Sequence, residues 1–391
     1  MTKKILIAYA NAGAGHRKAA YAIEGAFKEI NRNDIETKVI DTLDYTTPFF
    51  KMSYPATYLF MVNKIAVIWG LAYYLFDTRI FYKIFVAPIR RMVIGLNSAR
   101  LVSFLNEYNP DIIINTHFLG NELAADMKRR GMLKNNKVIT VVTDYMMHSF
   151  WVDKEIDYYC VAQEESRKHL MKRAIPPERI KVFGIPIDRV FALKRDRKEL
   201  CAKLGIDDKK KTVLIGSGGF GVGPIKELVG ELMNAKEVEQ LLVICGNNPA
   251  LYREISEITR DAGEHVKVYK FVENMDEMMS VADVMVTKSG GLTSSEAMAK
   301  DLPMVITSAI PGQEARNSQY LVKSGAAIQA PSVKKTKEAI IEIFSSKDKL
   351  EELKNKIRSV KKPNSSYDIA QFALSLLYAS TEGGSASGGN R

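Results

Sequence analysis

The chain has 391 residues, 46% of them hydrophobic and 26% charged, with a formal net charge of +11. That length suits two domains better than one core, and the balance excludes a disordered or fibrous chain. Three widely spaced cysteines, Cys160, Cys201 and Cys245, with no CxxC pair, exclude a disulfide scaffold and a cysteine-rich zinc site and fit a reducing cytoplasm.

The first element is a strand. Met1-Thr2-Lys3-Lys4 is basic, but the apolar run Ile5–Ala10 is short and enters a glycine loop, which predicts a buried strand over Lys4–Ala10 rather than a secretory signal. Further strands are predicted at Glu36–Ile40, Asp111–Asn115 and Lys137–Val142, with helices over His16–Ile30 and much of 51–107. A second half repeats the pattern with strands at Thr212–Ile215, Gln240–Cys245, Val266–Tyr269, Asp283–Val286 and Pro303–Ile306. Alternation of this kind predicts an α/β fold of two Rossmann-like, doubly wound domains that face a cleft, where ligands meet the carboxyl ends of the strands. The charged stretch between Gly184 and Lys211 sets the boundary. The expected division is an acceptor and membrane-binding domain over 1–190, a nucleotide-binding domain over 191–363, a helix over 364–380 packing back toward the first domain, and a flexible tail over 381–391.

Charge and aromatic residues concentrate in one segment. Residues 45–100 carry seven Lys or Arg (Lys51, Lys64, Arg79, Lys83, Arg90, Arg91 and Arg100) against one acid, Asp77. Tyr45–Phe85 holds thirteen aromatic residues, Trp69 and Phe76 among them. The longest uncharged run, Ile65–Phe76, is twelve residues, short of the roughly 20 that a spanning helix needs. Basic, aromatic and too short to cross, the segment reads as helices lying on an anionic membrane surface. The competing reading is a core hairpin with a basic outer face. Nucleic acid is not expected as a partner, because no motif for it interleaves with the basic residues.

Each half places a glycine loop after its first strand. Asn11-Ala12-Gly13-Ala14-Gly15-His16 leads into a helix, and Gly216-Ser217-Gly218-Gly219-Phe220-Gly221 satisfies GxGxxG. A dinucleotide site would also need an acid after the next strand. That strand ends Cys245-Gly246-Asn247-Asn248, so NAD is not expected. Lys288-Ser289-Gly290-Gly291-Leu292-Thr293-Ser294-Ser295-Glu296, followed by Pro311-Gly312-Gln313-Glu314 and Asn317, supplies a second phosphate-facing helix start. Thr293 and Glu296 also fit a capping box.

These motifs together resemble the monogalactosyldiacylglycerol synthase and processive diacylglycerol glucosyltransferase group of the GT-B glycosyltransferases, in glycosyltransferase family 28. The resemblance rests on Asn11–His16, on Thr143-Asp144 with His148 and Trp151, on Lys181–Ile187, on Val243–Asn247, and on the two motifs running to Glu296 and Asn317. Ser289 departs from a common proline. The resemblance implies inverting transfer of a hexose, glucose being favoured, from a UDP-sugar to the hydroxyl of diacylglycerol or a glycosyl-diacylglycerol. It also implies no cofactor and no metal, and a peripheral location on the cytoplasmic face of the cell membrane. Inversion needs a base for the acceptor hydroxyl and a partner for the leaving diphosphate. His16 and Asp144 are the candidates for the base, with His148 behind them. By resemblance, Glu296 meets the ribose and Gln313 and Glu314 the sugar. Thr293, Ser294, Gly290, Gly291 and the Ser217–Phe220 loop meet the diphosphate, and Phe271 and Val272 the uracil. Asn317 and Asn247 complete the donor site. Lys64, Trp69, Phe76, Arg79, Lys83, Arg90, Arg91 and Trp151 are expected to face membrane or acceptor. His117, His169 and His265 lack a partner pattern and read as surface or core residues. A polyprenyl-linked acceptor and a non-enzymatic membrane scaffold are the alternatives.

Overall fold

The structure is a computed structural model that describes residues 2–216, 218, 219, 221, 223–307 and 311–382. Contacts divide the chain into two compact units, one of residues 1–189 with 364–391 and one of residues 190–363.

In the first unit six strands run parallel: β1 Lys3–Tyr9, β2 Ile35–Asp41, β3 Ile112–Asn115, β4 Lys137–Val141, β5 Tyr158–Val161 and β6 Ile180–Val182. Their order is β2-β1-β3-β4-β5-β6. Successive side chains point to opposite faces of a strand, and β1 uses both. Leu6 and Ala8 join the core beneath the Ala99–Tyr108 and Phe118–Arg129 helices. Ile5 and Ile7 join the core beneath the Ala14–Ile30 helix. The Ser365–Glu382 helix closes that second face with Ile369, Ala370, Ala373, Leu374 and Leu377. Two polar ties fix it: Ser365 Oγ donates to Ile185 O at 2.7 Å, and Tyr378 OH donates to Asp34 Oδ2 at 2.6 Å. The tail residues from 383 onward lie outside the described residues.

The second unit holds β7 Thr212–Gly216, β8 Gln240–Ile244, β9 Val266–Tyr269, β10 Val284–Thr287, β11 Met304–Ile306 and β12 Ala327–Gln329, all parallel, in the order β12-β11-β10-β7-β8-β9. Both sheets therefore have a point where the strand order reverses, between β1 and β3 in one and between β7 and β10 in the other. In open parallel sheets, ligands bind outside the carboxyl ends of the strands at that point.

β5, β6 and β12 were not among the predicted strands. They are three or four residues long, and β6 and β12 lie at sheet edges, where one side of the strand has no neighbour to demand a long apolar run. Between β2 and β3 the chain builds helices at Pro48–Lys64 and Ala66–Phe76. A third run starts at Arg79–Phe81 and passes through a π-helical turn, Tyr82–Val86, into Ala87–Asn97.

The docked C-terminal helix has a measurable consequence. Ile369→Ala removes a fully buried side chain and should lower unfolding stability by about 2–5 kcal/mol, read as a lower urea midpoint. An unchanged midpoint would mean that the helix is not part of this core.

Candidate active site

At the reversal point of the first sheet, Ala8 pairs with Asn115, and Thr116 N–H donates to Ala8 O at 2.9 Å. The two strands thus end level, and the loops that follow carry His16 and Thr116-His117. His16 Nδ1 lies 2.8 Å from Thr116 O and 3.0 Å from Thr143 Oγ1. A carbonyl oxygen only accepts, so the proton of the neutral ring is on Nδ1 and Nε2 is the basic nitrogen. Thr116 Oγ1 donates back to His16 O at 2.9 Å, which fixes the first turn of the helix from both sides. Burial pushes the His16 pKa below its ordinary value. The Asp144 carboxylate and the Thr116 carbonyl oppose that shift. Asp144 itself is buried just beyond β4, and its charge favours the protonated ring.

His148 is placed differently. Its Nδ1 accepts from Phe150 N–H at 3.1 Å, and Nε2 lies 2.9 Å from Tyr73 O, to which it donates. With both nitrogens committed and the ring 4.1 Å from those of Tyr73 and Phe150, His148 holds a loop in place rather than offering a base. The loop it holds carries Trp151, which is buried, not facing a membrane. The indole packs 6.3 Å from the ring of His16 and 6.5 Å from that of His117.

Other membrane candidates divide. Lys64, Arg79, Lys83 and Arg91 are exposed. Arg90 is not a surface cation: it pairs with Glu122 at 2.7 Å and lies over the rings of Phe118 and Phe150. Breaking a buried pair of this kind typically costs about 3–5 kcal/mol, so its charge serves the fold. Trp69 and Phe76 are half-buried in aromatic stacks with Tyr58, Tyr73 and Phe81.

In the second unit the glycine loop folds onto the end of β8. Asn247 N–H donates to Gly219 O at 2.8 Å. Gly246 has φ +61°, and a Cβ there would sit 2.6 Å from Gly219 O. These glycines serve a close approach of two loops, and Gly218 at φ +71° makes the turn. Ser217 and Phe220 lie outside the described residues. Asn247 is exposed at this edge, as is Phe271 beyond β9, where Val272 is half-buried.

Across the reversal point, the helix Gly291–Ala299 starts with Gly290 at its N-cap and no side-chain cap. Thr293 is the third residue of the helix, so the Thr293–Glu296 capping box does not form, and Glu296 is buried instead. The first N–H groups of this helix are thus not spent on a side-chain cap. Ser294 is fully buried, and its hydroxyl has no hydrogen-bond partner among the described residues. The helix Gln313–Lys323 begins at Gly312, φ +103°, and buries Asn317 in its second turn. Ser289 Oγ donates to Glu314 O at 2.7 Å, and Lys288 Nζ lies 3.5 Å from Glu314 Oε1, so the two motifs form one cluster. The sequence did not single out Lys288. Its position directly after β10 was the available signal, but its partner lies far along the chain. His117 follows β3 just as the His16 loop follows β1, and its burial agrees with the core reading of the sequence.

Among the described residues no three His, Cys, Asp or Glu side chains gather as a metal site.

Residues 16–187 match the family model for monogalactosyldiacylglycerol (MGDG) synthase, and residues 196–360 match that for group 1 glycosyl transferases. A processive diacylglycerol beta-glucosyltransferase of Bacillus cytotoxicus is 30% identical over 379 residues, 97% of this chain and 95% of the relative. The chloroplastic monogalactosyldiacylglycerol synthase of Spinacia oleracea is 33% identical over 355 residues, 88% of this chain and 67% of the relative. Among solved structures, Acinetobacter baumannii MurG aligns with a TM-score of 0.62 at 13% identity, covering 95% of this chain and 99% of its own. The UDP-GlcNAc 2-epimerase of Neisseria meningitidis, bound to UDP-GlcNAc, aligns at 0.60 and 16% identity, with the same coverage. At such identities these two show the fold alone.

Two parallel sheets, each with a motif-bearing reversal point, and the transferase family models define a glycosyltransferase of the GT-B fold. The chain belongs to the family of monogalactosyldiacylglycerol synthases and processive diacylglycerol glucosyltransferases.

Because burial lowers the His16 pKa while Asp144 raises it, the ring should titrate below pH 6.5, the ordinary histidine value, when followed by NMR. Asp144→Asn removes the opposing charge and should move the titration to still lower pH. An upward move would contradict the assignment.

Proposed function

We propose that this chain transfers glucose from UDP-glucose to the hydroxyl of diacylglycerol or of a glycosyl-diacylglycerol, with inversion and without a metal. The observation that carries the reading is His16, its Nδ1–H held by Thr116 O and its Nε2 left basic at the reversal point of the first sheet. In the reaction, His16 Nε2 takes the proton of the acceptor hydroxyl as that oxygen attacks the anomeric carbon. The bond from that carbon to the diphosphate breaks, and UDP leaves with the electron pair. One displacement at carbon gives inverted configuration. Asp144 stabilises the protonated ring by charge, which assigns it the supporting role and His16 that of the base.

On the donor side, the uncapped start of the Gly291–Ala299 helix, with Gly290, Gly291, Thr293 and Ser294, receives the diphosphate. Glu296 takes the ribose hydroxyls. Gln313, Glu314 and Asn317 take the sugar, Phe271 and Val272 take uracil, and Gly218, Gly219 and Asn247 complete the donor side. The names of the relatives support the diacylglycerol acceptor, and UDP-GlcNAc bound to one fold neighbour and UDP bound to another are consistent with the donor.

The acceptor is a membrane lipid, and the Phe49–Leu96 segment is suited to meet it. Among the described residues, fifteen large apolar side chains between Phe49 and Leu96 are exposed, with Phe49 at 81%, Ile80 at 75% and Leu71 at 70%. A core hairpin would turn these inward. No helix among the described residues is long and apolar enough to cross a membrane. Exposed Lys64, Arg79, Lys83 and Arg91 lie among them, so the segment rests on an anionic surface at the cytoplasmic face.

His16→Ala should leave UDP affinity by calorimetry nearly intact while transfer, assayed with EDTA present, falls about a hundredfold or more. Glu296→Ala should instead weaken UDP binding more than it slows turnover at saturating donor. Retained transfer in His16→Ala would remove it as the base.

Vesicle co-sedimentation tests the membrane half. Each exposed cation near an anionic surface contributes about 1 kcal/mol, a part that salt screens, whereas the apolar part persists. Arg79→Glu with Lys83→Glu should lower binding to anionic vesicles only. Leu71→Ser with Ile80→Ser should lower it for neutral vesicles as well. Equal binding of the unaltered protein to both lipid types at low salt would contradict the electrostatic part.

A further inference from the structure

Beside His16 stands a second histidine in a fixed protonation state. His117 is the N-cap of the Phe118–Arg129 helix, and its Nδ1 accepts from Leu119 N–H at 3.1 Å. An acceptor nitrogen carries no proton, so the neutral ring holds its proton on Nε2. That Nε2–H has no hydrogen-bond partner among the described residues, although the residue is 2% exposed. The ring meets His16 edge to face, with centroids 4.5 Å apart at 87°. Phe118 at 4.1 Å, Tyr54 at 6.1 Å and Trp151 at 6.5 Å enclose its other sides. Burial, the neighbouring His16 and the Arg90 guanidinium all disfavour a second proton on this ring.

We infer that His117 is a further substrate-binding catalytic residue, whose Nε2–H donates to the oxygen of the acceptor hydroxyl that His16 deprotonates. The pairing is complementary. One imidazole presents a lone pair and the other an N–H, which together orient a single hydroxyl as donor to the first and acceptor from the second. Such a clamp fixes one lone pair of the oxygen and aims the other at the anomeric carbon. The capping bond to Leu119 keeps the ring from turning its proton away. This role rests on the reading of His16 as base.

His117→Asn separates the two functions of the side chain. Asparagine is a good N-cap, so it replaces the bond to Leu119 N–H, but it is too short to reach the Nε2 position. With UDP-glucose and dioctanoylglycerol, kcat/KM should fall about a hundredfold, the scale of one lost active-site donor. Melting temperature and UDP affinity should match those of the unaltered protein. Transfer within about threefold of the unaltered protein, with the fold intact, would overturn the inference and leave His117 a cap. A second measurement needs no variant: the Nε2–H proton resonance of His117 should shift when dioctanoylglycerol is added with UDP present. An unmoved resonance would overturn the inference even if the variant failed to fold. If the unaltered protein transferred no hexose to dioctanoylglycerol, the functional reading itself would fall, and this role with it.

Discussion

The hydrogen bond from His16 Nδ1–H to Thr116 O is the contact on which the acceptor side depends. It exists because β1 and β3 are adjacent, parallel and in a register that brings their ends level. The helix from Ala14 then sets His16 over the neighbouring loop. A backbone carbonyl cannot change protonation state, so it holds the tautomer wherever the ring is neutral. The environment does the rest: burial favours the neutral ring, and Asp144 limits how far that preference goes.

The same constraint explains the long excursion between β2 and β3. Parallel neighbours need a crossover, and here the connection leaves from β2 and returns through helices before β3 enters beside β1. The inner side of that excursion is tied down. Asp77 accepts from Ser149 N–H at 2.7 Å and pairs with Arg173 at 3.1 Å, while His148 donates to Tyr73 O. The outer side is left apolar and exposed. An exposed apolar surface is thus joined through polar contacts to the loop that packs Trp151 against His16.

Much of this was legible in the residues. The apolar runs of β1, β3, β4, β7 and β8 are buried on both faces and therefore nearly continuous, which is the strand signal of a parallel sheet. The His16 loop and the two donor motifs could be placed because each follows such a run. What escaped was set by partners distant in sequence. Nothing near Arg90 announces that Glu122 will neutralise it, and a basic residue in an aromatic segment reads the same whether it faces lipid or Phe150. Trp151 is expected to face membrane or acceptor, and the structure buries it beside His16 and His117, two partners that its neighbours in sequence do not announce. The capping box failed for a local reason: Gly290, not Thr293, begins the helix.

The central claim is a single displacement at the sugar carbon with His16 as base, and the configuration of the product tests it most directly. UDP-glucose carries an α linkage. With inversion, the glycolipid formed from UDP-glucose and diacylglycerol shows a β anomeric proton by NMR. A product with the α linkage would require a second displacement or front-side attack and would contradict the account.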